Sequence, residues 1–220
     1  MRILVIGGDY WHPFEVVRRG LAGLPGAEFD FVEDAKDILT PSMLREYPLI
    51  LLTKGDTLTS ANQNPWFEEG VTQVQPSDFA DYLQQGGAIL SVHAGNCFRQ
   101  EKTPAMTELL GNTFLGHPRQ CPITILPQGE HPITRGITPF TLQDEHYNLR
   151  LLCEDAQVFL TTHSDACSDQ VGGYTRQIGK GRLCVLTPGH NGAMWAHPMF
   201  RQLLTQAIAW CTHTEKRNEK

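Results

Sequence analysis

Leu49-Ile50-Leu51-Leu52 is a run of four consecutive aliphatic residues between Pro48 and Thr53, and a strand with no polar face has to be covered on both sides. Residues 2–6, 88–92 and 183–187 have the same character. Strands buried on both faces belong to parallel sheets with helical crossovers, and crossover-length segments separate these four. The expected fold is α/β, with the four runs as parallel neighbours in one sheet.

The intervening segments fit that plan. Residues 27–32 read as a second strand, and residues 15–24 place Val16, Val17, Gly20, Leu21 and Leu24 at helical spacing. Residues 76–85 carry the stripe Phe79, Ala80, Tyr82 and Leu83, with Ser77 as N-cap and Gly86-Gly87 as the stop. Residues 200–211 form a closing amphipathic helix. Between residues 117 and 149 the pattern changes to short β-like pieces, 123–126 and 140–142, bounded by Pro and Gly, which reads as a small antiparallel excursion. Residues 158–162 add a strand, and Gly179-Lys180-Gly181 is the tight turn before the last one.

A chain of 220 residues, 40% of them hydrophobic, suffices for one domain with a sizeable core. It is expected over residues 1–213, with 214–220 as a frayed tail. Acidic residues outnumber basic ones 24 to 18 and the only basic cluster is Lys216-Arg217-Asn218-Glu219-Lys220, which argues against a nucleic-acid partner. No stretch suits a bilayer, none at the start suits a signal peptide, and the six cysteines are dispersed without a C-x-x-C pair. A reducing cytoplasm is the expected setting. Gly7-Gly8 lacks the G-x-G-x-x-G spacing, so no nucleotide cofactor is expected.

His93 ends the run 86–95, where a buried strand turns toward a helix and pushes the residue on the corner into the crevice beyond the strand ends. A helix N-terminus beneath it favours the neutral imidazole. His12 follows the first strand and His190 the last, so parallel strands bring three imidazoles to one rim. His117 and the pair Asp144-Glu145 arrive from the excursion. Adjacent residues in extended chain face opposite ways, so one carboxylate leads into the pocket, and Glu145 is the choice. The alternative role for Asp144 is a turn cap.

Imidazoles with one carboxylate form an N/O donor set suited to zinc or a similar divalent ion, with His12, His93, His117, His190 and Glu145 as candidate ligands. The same groups suit metal-free proton transfer, a histidine such as His93 or His190 acting as base and Glu145 as acid. His12, Lys54, Trp66, His117 and Trp195 are candidate substrate contacts, the indoles as sugar-stacking rings, with ordinary burial as the competing role. Cys97 is read as packing rather than as a nucleophile. His131, His163, His197 and His213 are read as structural or surface groups.

Several segments together resemble one family. Gly86-Gly87-Ala88-Ile89-Leu90-Ser91-Val92-His93-Ala94, Phe114-Leu115-Gly116-His117-Pro118, His131-Pro132-Ile133-Thr134-Arg135-Gly136-Ile137 and Asp144-Glu145-His146-Tyr147 occur in the order seen in ThuA-like (trehalose utilisation) proteins. Gly179-Lys180-Gly181-Arg182, Gly189-His190 and Trp195-Ala196-His197-Pro198-Met199-Phe200 resemble that family's closing motifs.

The resemblance implies a class I glutamine amidotransferase-like fold, a flavodoxin-like doubly wound, mostly parallel sheet. It also implies a small-molecule carbohydrate partner, a sugar or keto-sugar from trehalose or related disaccharide metabolism, with isomerase or hydrolase chemistry. Amidotransferases carry a nucleophilic Cys at the elbow and a Glu two residues after the final His. Here the elbow holds His93, and His190 is followed by Asn191-Gly192, so glutamine hydrolysis is not expected. The rival reading is a non-catalytic sugar-binding or regulatory module on the same scaffold. A homo-oligomer is an assembly the sequence permits.

Overall fold

The computed structural model describes residues 1–33, 35–55 and 72–214. Trp66 and the basic tail lie outside the described residues. Among the described residues eleven strands appear in chain order: β1 Arg2–Ile6, β2 Glu28–Val32, β3 Leu49–Leu52, β4 Ala88–Val92, β5 Asn112–Gly116, β6 Cys121–Pro127, β7 Phe140–Asp144, β8 Asn148–Leu151, β9 Gln157–Ser164, β10 Cys167–Ile178 and β11 Gly181–Leu186. Nine form one sheet in the order β2-β1-β3-β4-β11-β10-β9-β6-β7, and β5 pairs with β8 separately. The first five are parallel and the rest antiparallel. The four apolar runs are therefore neighbours, in register from Leu4↔Ile50 through Ile50↔Ile89 to Ile89↔Leu183.

Their uniform apolarity has the expected consequence. Alternate side chains of one strand enter opposite layers: Ile3, Val5, Leu49, Leu51, Leu90 and Leu186 pack with Leu21 and with Leu203, Leu204 and Ala207 of the last helix. Leu4, Ile6, Ile50, Leu52, Ile89 and Leu183 pack with Leu44, Phe79, Leu83 and Leu110 on the other side. Truncating one of these fully buried side chains, Leu51→Ala for instance, costs about 2–5 kcal/mol through lost transfer energy and the cavity left behind.

The antiparallel part is larger than the small excursion expected. β6 and β7 do not stand apart; through β9 they join the main sheet. The strand that makes this possible is β10, twelve residues long and bonded to β9 and β11. The sequence reading passed over it because Cys167-Ser168-Asp169-Gln170 is polar and Gly172-Gly173 breaks any apolar alternation. Two helix ends also differ from expectation. The helix Pro76–Gln84 is capped by Gln75, whose N–H donates to Asp78 Oδ2 at 2.8 Å, and Pro76 takes the first helical position, leaving Ser77 inside. The first helix spans Phe14–Leu21, short of Leu24.

Candidate functional site

Three carboxyl ends of the parallel strands, those of β1, β4 and β11, converge on one rim. After β4 the backbone of His93 takes φ +48°, a left-handed conformation unusual for a residue with a side chain, and begins a single 3-10 turn, His93–Asn96. This elbow is locked from below. Asn96 accepts from Ser91 Oγ at 2.7 Å and donates to the carbonyls of His93 and Leu186 at 3.1 and 3.0 Å. A Cβ on Gly95 would strike the Leu52 carbonyl, so only glycine lets the turn lie on β3.

Three of the imidazoles are oriented by a partner on the far side of the ring, and the fourth through its backbone. His93 Nδ1 donates to the Thr187 carbonyl at 2.8 Å, which fixes the tautomer and leaves the Nε2 lone pair facing outward. His117 Nδ1 donates to the Pro118 carbonyl at 2.8 Å with the same result. His12 Nδ1 lies 2.8 Å from the Asp9 carboxylate, which also accepts the backbone N–H groups of Trp11 and His12 at 2.8 Å. His190 is set by its backbone: Asp144 accepts the N–H groups of Gly189 and His190 at 2.8 and 2.9 Å.

The atoms so aimed meet at Glu145. Its Oε2 lies 3.2 Å from His190 Nδ1, 3.4 Å from His93 Nε2, 3.5 Å from His117 Nε2 and 3.9 Å from His12 Nε2. Ligating atoms of His12, His93, Glu145 and His190 all fall within 4.8 Å of one another. His117 stands at the edge, its side chain a third exposed. Although close to the carboxylate, His93 Nε2 and His190 Nδ1 are not aligned as hydrogen bonds and are buried without a partner among the described residues. Tyr147 closes the group from the side, its ring stacked on His93 at 4.1 Å and on His117 at 5.5 Å, with its hydroxyl 3.3 Å from Cys97 Sγ and 3.5 Å from His12 Nε2.

The electrostatics follow from burial and these contacts. Burial alone favours neutral His12, yet the carboxylates of Asp9 and Glu145 outweigh it and raise its pKa to about 9. For His93 burial wins over Glu145 and the pKa falls below the ordinary imidazole value. The expected neutrality of His93 is thus in place for a different reason, because one 3-10 turn is no substitute for the dipole of a full helix. Burial would raise Glu145, but the contacts with His12, His190 and His93 prevail and hold it well below the usual carboxylate range.

Other sequence candidates sit elsewhere. Lys54 is wholly buried, its Nζ donating to the Gly8 carbonyl at 3.0 Å beneath the loop that carries His12. Trp195 is enclosed as well, its indole N–H bonded to the Gly189 carbonyl at 2.6 Å, so it braces the His190 loop and has no free face for a sugar. His131 stacks on Phe159 and His197 on Phe140, both as packing groups. Cys97 is buried against Tyr147.

Missed by sequence reading were Asp9, Asp144 as anchor of the His190 loop, Tyr147, and the exposed pair Tyr10 and Trp11 beside His12, at 59% and 56% exposure. Asp9 had a local signal, standing three residues before His12 as an Asx-turn acceptor. A wider groove of about 510 Å³ among Glu15, Arg19, Gly192 and Arg201 contains none of the clustered groups.

Residues 10–211 match the family model described as ThuA, trehalose utilisation. No curated protein matches the chain. The fold resembles that of a ThuA-like protein from Parabacteroides merdae at TM-score 0.75 and 18% identity, covering 100% of this chain and 92% of that one. It also resembles a ThuA-like protein from Bacteroides uniformis, at 0.72 and 18%, covering 98% and 93%. A cytoplasmic protein from Salmonella typhimurium shares the fold at 0.64 and 18%, covering 99% and 100%.

Proposed function

The chain belongs to the ThuA family, and from that premise we propose that it is an enzyme acting on a sugar or keto-sugar, using a divalent ion held by His12, His93, His190 and Glu145. One observation carries the reading. Two buried imidazole nitrogens, His93 Nε2 and His190 Nδ1, have no hydrogen-bond partner and face the same carboxylate oxygen. Lone pairs crowded in this way repel unless a cation or proton lies among them. The outer contacts, His12 Nδ1 on Asp9 and His93 Nδ1 on Thr187, are the kind that orient histidine ligands and fix their tautomers. Three nitrogens and one oxygen match zinc better than a hard, oxygen-seeking ion.

Such an ion supplies a Lewis acid for a carbonyl or hydroxyl oxygen of the sugar. The chain's own groups do the rest. His117, more exposed and stacked on Tyr147, is placed to carry a proton to or from the bound sugar. Trp11, in place of the buried Trp195, offers an open ring face to a pyranose. Isomerisation or hydrolysis of a disaccharide or its keto form suits this set. Amidotransferase chemistry does not, since His93 occupies the elbow. We read the order β2-β1-β3-β4-β11 as flavodoxin-like winding. Six free cysteines suit a reducing cytoplasm.

Elemental analysis of protein purified without chelators should find about one divalent ion per chain, lost in His93→Ala and His190→Ala. Product analysis with disaccharides and their keto forms then identifies the reaction. If no ion is found and added zinc neither binds nor raises the melting temperature, the metal reading fails. Stoichiometric metal and saturable sugar binding without turnover would instead favour the non-catalytic module.

A further inference from the structure

Beside the histidine cluster, the two-stranded β5/β8 sheet builds a groove of about 380 Å³ lined by two arginines, Arg99 and Arg150. Three arginines elsewhere in this acidic chain are paired with carboxylates: Arg2 with Asp30, Arg19 with Glu15, and Arg176 with Asp155. Among the described residues, neither Arg99 nor Arg150 has a carboxylate within ion-pair distance. Glu101 also borders the groove without pairing to either.

Both guanidinium groups are held by neutral neighbours. Arg99 lies over the Phe114 ring at 5.7 Å, and Arg150 donates to Gln100 Oε1 at 3.2 Å. Gln100 is in turn fixed by its backbone N–H, which donates to Thr113 Oγ1 at 3.0 Å, and Thr113 is the cross-strand partner of Arg150. Cations positioned without being neutralised form a ready receptor for an oxyanion, and guanidinium groups match phosphate and carboxylate oxygens in pairs.

The same two strands tie the groove to the cluster. Phe114 is shared, its ring 4.8 Å from that of Tyr147 and 6.2 Å from that of His117. His117 is three positions from Phe114 and Arg150 three from Tyr147, an extended reach of about 10 Å at most, with Arg150 and Tyr147 on opposite faces of the extended chain. A ligand joining the two would pass over Phe114, which lines the groove and neighbours both Tyr147 and His117, with its reacting end at the cluster and its charge one sugar ring or more away.

We propose that Arg99 and Arg150 form a subsite for an oxyanion carried by the sugar, a phosphate monoester or a carboxylate, so that the ligand is an anionic rather than a neutral carbohydrate. The identity of the ligand's other end rests on the carbohydrate reading above; the anion site rests on the groove alone.

Inorganic phosphate is titrated into metal-free protein by calorimetry, with chloride as the control, for the full-length protein and for Arg99→Gln, Arg150→Gln and the double variant. The expected result is saturable phosphate binding that weakens about tenfold for each arginine removed and declines with salt. Arg→Lys variants, which keep the charge and lose the paired geometry, should fall between. Unchanged melting temperature and circular dichroism establish that each variant is folded.

Phosphate binding no tighter than chloride, or equal in the folded double variant, overturns the proposal. A hexose 6-phosphate and a hexuronate are the next arms. Whichever binds more tightly than both its free anion and the neutral hexose identifies the source, and if neither does, the link between groove and sugar is overturned. Because the phosphate arm uses neither sugar nor metal, failure of the carbohydrate or metal reading leaves it intact and is told apart from failure here.

Discussion

Asp144 and Glu145 are neighbours in the chain that serve different loops: Asp144 takes the backbone N–H groups of Gly189 and His190 at 2.8 and 2.9 Å, while Glu145 Oε2 meets the His190 ring 3.2 Å from Nδ1. One residue thus aims the histidine and the next receives it. The alternation of an extended chain puts the two carboxylates to opposite uses at the end of β7.

Asp144→Ala should therefore act on the site without touching a ligand. Two charge-assisted bonds to buried N–H groups are lost, costing about 2–3 kcal/mol of stability. Zinc affinity should fall by roughly 10–100-fold, as for the loss of an outer contact that orients a ligand. Denaturant melts and zinc titration of the same preparation measure both. Loss of stability with unchanged zinc affinity would remove Asp144 from the site.

The raised pKa of His12, about 9, gives the metal-free protein a defined pH response. A group whose folded pKa exceeds its unfolded value of about 6.5 stabilises fully below that value and loses the contribution as pH rises toward 9. His93 has the opposite sign: its folded pKa is lowered, so its contribution is present above about 6.5 and is lost as the solution becomes more acidic. The melting temperature of metal-free protein should fall from pH 6.5 to 9, and His12→Asn should flatten that fall. Zinc must displace the His12 proton, so calorimetry at pH 7.5 in buffers of different ionisation enthalpy should show about one proton released per ion bound. No release would mean His12 is not a ligand.

Trp11→Ala should separate binding from stability. The ring is more than half exposed, so the melt should move by less than about 0.5 kcal/mol, while sugar affinity falls by up to about tenfold with the loss of a stacking face. The enclosed Trp195 should behave in reverse: Trp195→Ala opens a cavity under Gly189 and costs about 3–5 kcal/mol. Equal sugar affinity in Trp11→Ala and the unaltered protein would rule the ring out as a platform.

What the sequence determined by itself is the parallel half of the sheet and the three strand ends that carry His12, His93 and His190. Runs such as Leu49–Leu52 admit one environment, covered on both faces, and a residue following such a strand emerges at its carboxyl rim. Alternation also made Asp144 and Glu145 face opposite ways, but which of them turns toward the histidines was decided by the tertiary contacts. Tertiary structure decided the rest. β10 has no continuous apolar run and is held by hydrogen bonds to strands on both sides, which local periodicity cannot register. Asp9 gives a local Asx signal, but its hold on the His12 ring, the bond from Asp144 to a loop 45 residues away, and the stacking of Tyr147 on His93 are contacts between side chains brought together only when the sheet closes. The directions of the lone pairs, and with them the case for a metal, come from those contacts, because a carbonyl or carboxylate behind the rings of His12, His93 and His117 selects the nitrogen that faces the centre, and Asp144 sets His190 through its backbone.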